Sequence, residues 1–304
     1  MEYRKIGSLN VSLAGLGCNN FGWRIDAAAT QIVVDAAIDA GINFFDTADV
    51  YGAGQSEEYL GKALKGRRDK VIIATKFGMK MGHGMEGARP HYIEQALDDS
   101  LRRLGVDYID LYQIHRPDPD TPILDTMEAL NKAVKAGKVR EIGCSNFSVD
   151  QLRAARQSHG PNYFVSVQND YSLFKRDPET NGVLDECRHT NVGFLPYFPL
   201  ASGMLTGKHK RGAVDKNSRL SYSERHIDRF INDANWAKVE ALTAFAEQRG
   251  HTILELAFAW LLAKPFIGSV IAGASVPEQV EQNVKAVGWT LTPSDMTELD
   301  RITR

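Results

Sequence analysis

Eight short apolar segments recur along the chain, and their spacing constrains the fold more than any other feature of the sequence. Each is rich in β-branched or aromatic residues and lacks polar alternation, as strands covered on both faces do. We predict strands at Leu13–Gly17, Asn43–Asp46, Val71–Lys76, Tyr108–His115, Val139–Ser145, Phe164–Gln168, Val192–Tyr197 and Gly268–Gly273. Between them lie patterns of helical period, such as Ile93, Leu97, Leu101 and Leu104.

Strand and helix alternate through the whole chain, which is the pattern of a parallel sheet with helical crossovers. Eight such units favour closure into an α/β fold of the (β/α)8 TIM-barrel type over an open Rossmann sheet. The length of 304 residues suits a barrel, which needs about 250 residues plus insertions. No linker divides the chain, so we expect a single domain over residues 1–304. The segment Tyr3–Val11 predicts a β-hairpin that closes the barrel floor.

The charge balance and the cysteines argue against several classes of protein. The net charge is −2, which gives no general attraction to nucleic acid or acidic membranes. No segment approaches the roughly 18 apolar residues of a membrane span, and no secretory signal is visible. Cys18, Cys144 and Cys187 are too scattered for a disulfide framework or structural zinc. We therefore expect a cytoplasmic protein without nucleic-acid or membrane partners, and a monomer, because no exposed apolar stripe is evident.

One segment breaks the rhythm of strands and helices. From Ser202 to about Asn235 the chain is polar, contains glycine and is rich in lysine and arginine. Loops of this length in compact domains are usually functional lids or disordered insertions. Because it follows the seventh predicted strand, we expect it on the face where barrel active sites form.

Polar residues gather where the predicted strands end. Asp46, Lys76 and His115 end the second, third and fourth strands. The later strands end, in chain order, at Ser145–Asn146, Gln168, Tyr197 and Gly273. In a closed barrel these residues project around one rim, where the catalytic residues of barrel enzymes lie. Any strand ends where polarity begins, but that alone does not explain this set of acid, base and amide side chains.

Tyr51 lies five residues beyond Asp46 and is the candidate proton donor. A free tyrosine has a pKa of about 10 and is a poor acid at neutral pH unless a nearby cation lowers that pKa. Lys76 can supply the cation, Asp46 its counter-charge and His115 a further hydrogen bond. Together they form a proton-transfer system for a carbonyl or alcohol oxygen. Singly, each has a structural alternative: the aspartates, including Asp49, could shape a turn, and the lysine could extend to solvent.

The same residues lie in motifs that resemble those of the aldo-keto reductase family. Blocks that match in order and spacing occur at Asp46–Gly52, Ile109–Asp118, Ile142–Phe147, Val167–Tyr171, Pro196–Leu200, Gly203–Lys208 and Val270–Ser275. The resemblance runs from about residue 3 to residue 300. The long segment after the seventh strand is nearer to the branch of bacterial reductases and potassium-channel β-subunits than to aldose reductase. The resemblance implies a nicotinamide cofactor and no metal.

The resemblance assigns a role to each residue of the catalytic set. Tyr51 would donate a proton to the carbonyl oxygen, while Asp46 and Lys76 would tune its acidity. His115 would orient the substrate oxygen. Independently of the resemblance, three residues after the first strand are expected to border the substrate mouth, with ordinary loop packing as their alternative: Asn19, Phe21 and Trp23.

The resemblance also implies a set of residues that bind the cofactor. Ser145, Asn146 and Gln168 would hold the nicotinamide carboxamide, and Tyr197 would stack on the ring. Further contacts are expected from Pro199, Leu200, Gly203, Leu205, Lys208, Gly273, Ala274, Ser275, Gln279, Gln282 and Asn283. In such enzymes the cofactor supplies the hydride, and the protein positions the reactive carbon.

The cofactor-binding end departs from the aldose reductase pattern. That branch places a lysine, a small hydroxyl residue and an arginine around the adenosine 2′-phosphate. The corresponding positions here are Gly273, Ala274 and Gln279, and Gln282 replaces the acidic residue that usually precedes Asn283. The missing cations leave the choice between NADPH and NADH open at this position.

Two features of the chain could compensate for the missing cations. The helix after Ser275 offers free N–H groups and a positive dipole end to a phosphate, although Ser275 also has the form of a capping-box residue. The long segment offers four cations, namely Lys208, Lys210, Arg211 and Arg219. We therefore expect NADP(H) as the cofactor rather than NAD(H).

Three functions are weighed on these observations. The first is an enzyme that reduces small aldehydes or ketones with NAD(P)H. The second is a cofactor-binding regulatory subunit of the same fold with little turnover, as channel β-subunits are. The complete catalytic set favours the enzyme. A metal-dependent barrel hydrolase is disfavoured, because no His-x-His pair or metal-spaced set of acids ends the strands.

Overall fold

Ten strands and eleven α-helices occur in the residues that this computed structural model describes, which are 1–158, 160–215, 218–221 and 224–304. The strands are β1 Tyr3–Ile6, β2 Leu9–Ser12, β3 Ala14–Gly17, β4 Phe44–Asp46, β5 Ile72–Phe77, β6 Ile109–Ile114, β7 Val139–Ser145, β8 Ser166–Asp170, β9 Gly193–Tyr197 and β10 Val270–Gly273. The helices are α1 Ala27–Asp39, α2 Gln55–Ala63, α3 Pro90–Leu104, α4 Ile123–Lys135, α5 Val149–Arg156, α6 Val183–Thr190, α7 Glu224–Phe230, α8 Asp233–Glu247, α9 Ile253–Leu262, α10 Pro277–Lys285 and α11 Pro293–Thr303.

Strands β3 to β10 form one parallel sheet in which β10 lies beside β3. The two remaining edges meet where the Phe194 N–H donates to the carbonyl of Phe266 (2.8 Å) and the Gly268 N–H donates to the carbonyl of Phe194 (3.0 Å). The predicted (β/α)8 barrel is therefore confirmed. Predicted strand boundaries differ by at most two residues, and β8 extends to Asp170 because it pairs with β9 up to Tyr197.

The N-terminal hairpin covers one end of the barrel, as predicted. Strands β1 and β2 pair antiparallel, from Tyr3 opposite Ser12 to Ile6 opposite Leu9. Three of their buried side chains, Ile6, Leu9 and Val11, pack against a separate apolar cluster inside the barrel. That cluster consists of residues from the strands, namely Phe44, Ile72, Ala74, Leu111, Leu195 and Ile271. The hairpin thus excludes water from the end of the barrel opposite the C-terminal ends of the strands.

The helices surround the barrel and bury one face each. Helix α3 follows the predicted period, with Ile93, Leu97 and Leu104 buried and Leu101 packed at the edge of the core. It ends at Gly105, which has a left-handed backbone (φ +64°) that suits a helix C-terminus. The main core lies between these helices and the outer faces of the strands.

The described parts of the long segment after β9 lie on the face where the sequence predicted them, since Ser202, Lys208 and Arg219 line a cavity at the C-terminal ends of the strands. The segment begins with 3₁₀ turns at Ala201–Thr206, continues through a bridge between Lys210 and Ala213, and leads into α7. Across the described ranges, no helix is both long and apolar enough to cross a membrane. The same ranges contain no cluster of three or more histidine, cysteine or acidic residues that could hold a metal ion.

Candidate active site

An ion pair between Asp46 and Lys76 lies at the C-terminal rim of the barrel. Asp46 is the last residue of β4, and Lys76 is on the neighbouring strand β5. Lys76 Nζ donates to Asp46 Oδ2 (2.6 Å) and to the carbonyl oxygen of Thr47 (2.9 Å). Lys76 is fully buried, so its charge depends on these partners. Burial lowers the pKa of Lys76, but the Asp46 carboxylate raises it and the net direction is upward, so the lysine stays cationic.

Tyr51 is positioned by an extension of the barrel ladder and a sharp turn. The N–H groups of Thr47 and Asp49 donate to carbonyls of β5, at Ala74 (2.8 Å) and Lys76 (3.1 Å). Immediately after Tyr51, Gly52 has a left-handed backbone (φ +57°), and a Cβ there would lie 3.1 Å from main-chain atoms of the loop after β3. Glycine at this position therefore lets the chain turn directly into α2 and leaves Tyr51 at the rim.

The aromatic ring of Tyr51 lies between the lysine and the histidine. Its centroid is 5.3 Å from Lys76 Nζ and 5.9 Å from the His115 ring, which it meets edge-on. Burial raises the pKa of the Tyr51 hydroxyl, while Lys76 lowers it, and burial has the larger effect. The sequence predicted that Lys76 lowers this pKa; the lysine acts in that direction, but the net change is upward because the hydroxyl is desolvated.

His115 follows β6 directly and is neutral. Its main-chain N–H donates to the main-chain carbonyl of Phe77 (2.8 Å). The ring nitrogen Nδ1 is buried without a hydrogen-bond partner in the described part of the chain. Burial, followed by the charges of Lys76 and Arg116, lowers the pKa of His115 to about 3. A neutral imidazole can donate one hydrogen bond and accept another, which suits contact with a carbonyl oxygen.

A cluster of amide and hydroxyl groups continues the rim beyond the histidine. Asn146 Nδ2 donates to the carbonyl of His115 (3.0 Å), and the Tyr197 hydroxyl donates to Asn146 Oδ1 (2.8 Å). The Ser145 hydroxyl donates to the main-chain carbonyl of Gln168 (2.7 Å). The side-chain NH₂ of Gln168 donates to Asp46 Oδ1 (3.0 Å), which leaves the side-chain oxygen Oε1 of Gln168 for a ligand. A free acceptor beside the half-buried ring of Tyr197 suits a flat carboxamide such as nicotinamide.

The rim opens into one large cavity of about 780 Å³. This volume is in the upper part of the range for small-molecule and cofactor sites, roughly 300–1,000 Å³. Thirteen of the residues expected from the sequence to bind cofactor line it, namely Ser145, Asn146, Gln168, Tyr197, Pro199, Leu200, Gly203, Lys208, Gly273, Ser275, Gln279, Gln282 and Asn283. Asp46, Tyr51 and His115 line the same cavity, so the candidate catalytic and binding residues share one space.

Of the three residues predicted to border the substrate mouth, two lie at or near the cavity and one is buried in the core. Asn19 lines the cavity and Trp23 is 46% exposed near it, whereas Phe21 is fully buried in the hydrophobic core. The prediction for Phe21 was therefore wrong, because its side chain packs under the loop instead of facing the mouth. Arg219 from the long segment, which the sequence singled out only as a possible phosphate ligand, lies 5.8 Å from the ring of Trp23.

Two predicted cofactor contacts are also buried away from the cavity. The side chains of Leu205 and Ala274 are fully buried in the core, and neither lines the cavity. Ser275 does line it, but the residue that caps α10 is Val276, so the predicted capping box was wrong. Instead, Gln279 Oε1 accepts from the Ser275 main-chain N–H (2.8 Å) and hydroxyl (3.2 Å). A glutamine side chain thus engages donors that a phosphate would use.

Asp49 is a buried carboxyl group two residues before Tyr51. It is 1% exposed, and neither carboxyl oxygen has a well-formed hydrogen bond within the described ranges. Its surroundings include Glu57 on α2, which accepts from Thr75 (2.6 Å) and Arg103 (2.6 Å). Burial and the Glu57 carboxylate raise the pKa of Asp49 to about 7, although the Val50 N–H, Arg103 and Lys76 lower it. Asp49 is therefore largely protonated below pH 7.

We expect Asp49→Asn to stabilise the protein at alkaline pH. The raised pKa means that folded Asp49 holds its proton up to about pH 7, whereas the unfolded residue releases it near its ordinary pKa of 3.8. The free energy of unfolding therefore falls as pH rises from about 4 to 7, by about 4 kcal/mol at most. Asparagine removes this loss. Urea unfolding should show the variant's advantage growing from pH 4.5 to pH 8, and Asp39→Asn at the exposed end of α1 serves as control. A gain in unfolding free energy that does not change with pH would contradict the raised pKa of Asp49.

Comparisons with known proteins place the chain in a family. The model of the Aldo/keto reductase family matches residues 14–304. The chain is 34% identical to the aldo-keto reductase YhdN of Bacillus subtilis, over 99% of this chain and 93% of that protein. It is 32% identical to a probable voltage-gated potassium channel subunit beta of Arabidopsis thaliana, over 99% of this chain and 96% of that protein.

Solved structures show the same likeness in three dimensions. A glycerol dehydrogenase, AKR11B4 from Gluconobacter oxydans, is 31% identical with a TM-score of 0.85, covering 99% of this chain and 94% of that one. The holo form of aldo-keto reductase AKR11C1 from Bacillus halodurans is 32% identical with a TM-score of 0.83, covering 100% and 97%. The family acts as oxidoreductases on aldehydes and ketones with nicotinamide cofactors. The family model, these relatives and the shared barrel show that the chain belongs to the aldo/keto reductase family.

Proposed function

We propose that this protein reduces aldehydes or ketones to alcohols with NAD(P)H and that Tyr51 is the proton donor. The observation that supports this most directly is the position of the Tyr51 ring, 5.3 Å from the buried Lys76 ammonium and against the neutral ring of His115. A carbonyl oxygen placed between Tyr51 and His115 would meet one acid and one hydrogen-bond donor. Reduced nicotinamide, when bound, supplies the hydride.

Each residue of the site has its own role in the proposed proton transfer. Tyr51 donates its phenolic proton to the carbonyl oxygen as negative charge develops there. Lys76, held cationic by Asp46, stabilises the phenolate that remains. His115 is neutral, so it orients the oxygen by a hydrogen bond and does not compete as the acid. Burial holds the pKa of Tyr51 high, which keeps its proton in place until the carbonyl accepts it.

The proposed cofactor would be held along the cavity from the barrel rim to α10. Ser145, Asn146 and Gln168 would contact the carboxamide, and Tyr197 would cover the nicotinamide ring. The 3₁₀ turns after β9 would border the middle of the cofactor, since Pro199, Leu200, Gly203 and Lys208 line the same cavity. Ser275, Gln279, Gln282 and Asn283 would face its adenosine end.

We propose NADPH as the preferred cofactor because cations from the long segment line the cavity. Lys208 and Arg219 both line it. The nearby Asp215 carboxylate raises the pKa of Lys208 against the larger effect of burial, and the Arg219 guanidinium donates to Asn20 Oδ1 (3.3 Å). Arg211 is a poorer candidate, because it pairs with Asp233 (2.5 Å) and Glu240 (2.9 Å) on the surface. Two cations that line the same cavity favour a cofactor that carries an additional phosphate.

Gln279→Arg is expected to raise the preference for NADPH over NADH by about 10-fold or more. The change frees the Ser275 N–H from the glutamine oxygen and places a guanidinium beside it. Hydrogen bonds to charged groups contribute about 1.5–3 kcal/mol. The measurement is kcat/KM with each cofactor, and Gln248→Arg, the same change at the exposed C-terminus of α8 outside the cavity, serves as control. An unchanged ratio in the Gln279 variant would mean that this position does not contact the 2′-phosphate.

The proposed function is tested by absorbance at 340 nm with purified protein, an activated aldehyde such as 4-nitrobenzaldehyde, and NADPH or NADH in separate runs. We expect oxidation of the cofactor, faster with NADPH and unaffected by a metal chelator. Tight cofactor binding without turnover over a panel of carbonyl compounds would instead support a regulatory role, as the likeness to a channel subunit beta suggests. Absence of cofactor binding would overturn both.

A further inference from the structure

A glutamine that the sequence analysis passed over lies at the centre of the barrel rim. Gln113 is on β6, two residues before His115, and is fully buried. Its strand register places it between Lys76 on β5 and Gly143 on β7. A Cβ at Gly143 would lie 3.2 Å from Gln113 Cγ and 2.5 Å from Ser166 Oγ. Glycine on the neighbouring strand therefore leaves the space that the long polar side chain of Gln113 occupies.

Gln113 joins the ion pair to the candidate cofactor-binding amide. Its Nε2 donates to Asp46 Oδ1 (3.2 Å), and Gln168 Nε2 donates to the same oxygen (3.0 Å). Gln113 Oε1 in turn accepts from Gln168 Nε2 (3.5 Å). Lys76 Nζ donates to the other oxygen, Asp46 Oδ2. One carboxylate oxygen therefore accepts from two amides and the other from an ammonium group.

This arrangement determines which way both amides face. A carboxylate only accepts hydrogen bonds, so each glutamine must turn its NH₂ group toward Asp46. An NH₂ group has two hydrogens, and for Gln168 one meets Asp46 while the other meets Gln113. The carbonyl oxygen of Gln168 is then left for the cavity that this residue lines. Without Gln113, one hydrogen of Gln168 and one lone pair of Asp46 would lose their buried partners.

We propose that Gln113 is a positioning residue that couples the Asp46–Lys76 ion pair, which supports the proton donor Tyr51, to recognition of the nicotinamide carboxamide. It acts through Asp46 and Gln168 and touches neither substrate nor cofactor. This role rests on the proposed function, because it assigns the free Gln168 oxygen to a nicotinamide amide. The coupling is direct, since a single oxygen atom of Asp46 receives both glutamine side chains.

The first test is the affinity of Gln113→Met for NADPH and NADH, measured by calorimetric titration. Methionine keeps the length of the side chain but makes no strong hydrogen bond. We expect about 10-fold weaker binding of both cofactors, because leaving buried polar groups unpaired costs about 1–3 kcal/mol. Ser166→Ala is the control, since Ser166 is also buried in the barrel but its hydroxyl has no hydrogen-bond partner within the described ranges. A thermal unfolding measurement on each variant checks that it is folded.

A second variant separates positioning from packing. Gln113→Glu has the same shape, and its protonated carboxyl can donate to Asp46 as the amide does. Burial and the neighbouring carboxylate raise the pKa of such a group. Relative to the unaltered protein, its cofactor affinity should be close to normal at pH 6 and fall by about 10-fold by pH 9, whereas a packing role would give no dependence on pH.

The outcomes distinguish this inference from the proposed function. If the unaltered protein binds the cofactors and Gln113→Met binds them equally well, the role of Gln113 is wrong and the proposed function stands. If the unaltered protein binds neither NADPH nor NADH, the proposed function fails and the role of Gln113 fails with it. Weaker binding by Gln113→Met, together with loss of affinity of Gln113→Glu as pH rises, supports the coupling.

Discussion

Replacing Tyr51 by phenylalanine is expected to lower kcat/KM for carbonyl reduction by about 10²–10⁴, the usual contribution of a general acid. The variant loses only the hydroxyl, so the ring keeps its contacts with His115 and Lys76. The proposed cofactor-binding residues Ser145, Asn146 and Gln168 do not contact this hydroxyl through any hydrogen bond in the described residues. Affinity for NADPH should therefore remain within about 2-fold, a difference well below the typical worth of one hydrogen bond to a charged group.

The measurement is a steady-state assay at 340 nm, with cofactor affinity measured separately by calorimetric titration. Tyr59→Phe on α2 is the matched control, because it makes the same chemical change on a helix outside the cavity. Its kcat/KM should equal that of the unaltered protein. If Tyr51→Phe retained full activity, the proton would come from another group, and the site assignment would be wrong.

Much of the fold was readable because parallel strands covered on both faces leave a simple signal. Short, mainly apolar runs identified all eight barrel strands, and their ends identified Asp46 and His115 at the rim. The reason is physical: the barrel interior is mostly apolar, so polar residues that gather at the C-terminal ends of the strands mark where the interior opens into the cavity. The end of β8 could not be predicted from the sequence, because hydrogen bonding to β9 continues the strand to Asp170, beyond its apolar residues.

Side-chain direction in loops was not readable from the sequence. Phe21 and Trp23 are two residues apart in one loop, yet the first is fully buried and the second is 46% exposed. Loops have no regular period, so nothing in their spacing tells which residue faces the core. Ser275 shows a related limit. Its sequence fits a capping box, but the backbone begins α10 one residue later and Gln279 takes its donors.

Gln113 shows what a closer reading of the strands would have found. It is one of two strongly polar residues in β6, and strand alternation places it on the same side as Leu111, which faces the barrel interior, and on the opposite side from Asp110. A buried polar side chain needs partners, so its position predicts a contact at the rim. Which partners it meets depends on the stagger of neighbouring strands, and that is not encoded in any single strand.

Lys76→Met is expected to destabilise the protein by about 3–5 kcal/mol and to remove nearly all activity. The lysine is fully buried and its partner Asp46 is 4% exposed, so the variant leaves a carboxylate buried without its cation. Breaking a buried pair from one side has this cost, because the remaining charge is not compensated. Activity should fall with it, since burial and the Asp46 carboxylate then raise the pKa of Tyr51, and Arg219, whose effect is smaller than that of Lys76, is left to stabilise the phenolate.

The double variant Asp46→Asn with Lys76→Met separates these two effects. It removes both charges while the asparagine oxygen still accepts from Gln113 and Gln168, so most of the lost stability should return. Activity should stay low, because the cation that favours the phenolate is still missing. Urea unfolding of the two single variants and the double variant gives the coupling energy, and a 340-nm assay on each gives the activity. If activity returned together with stability, the role of Lys76 would be structural and Tyr51 would need no cation to act as the acid.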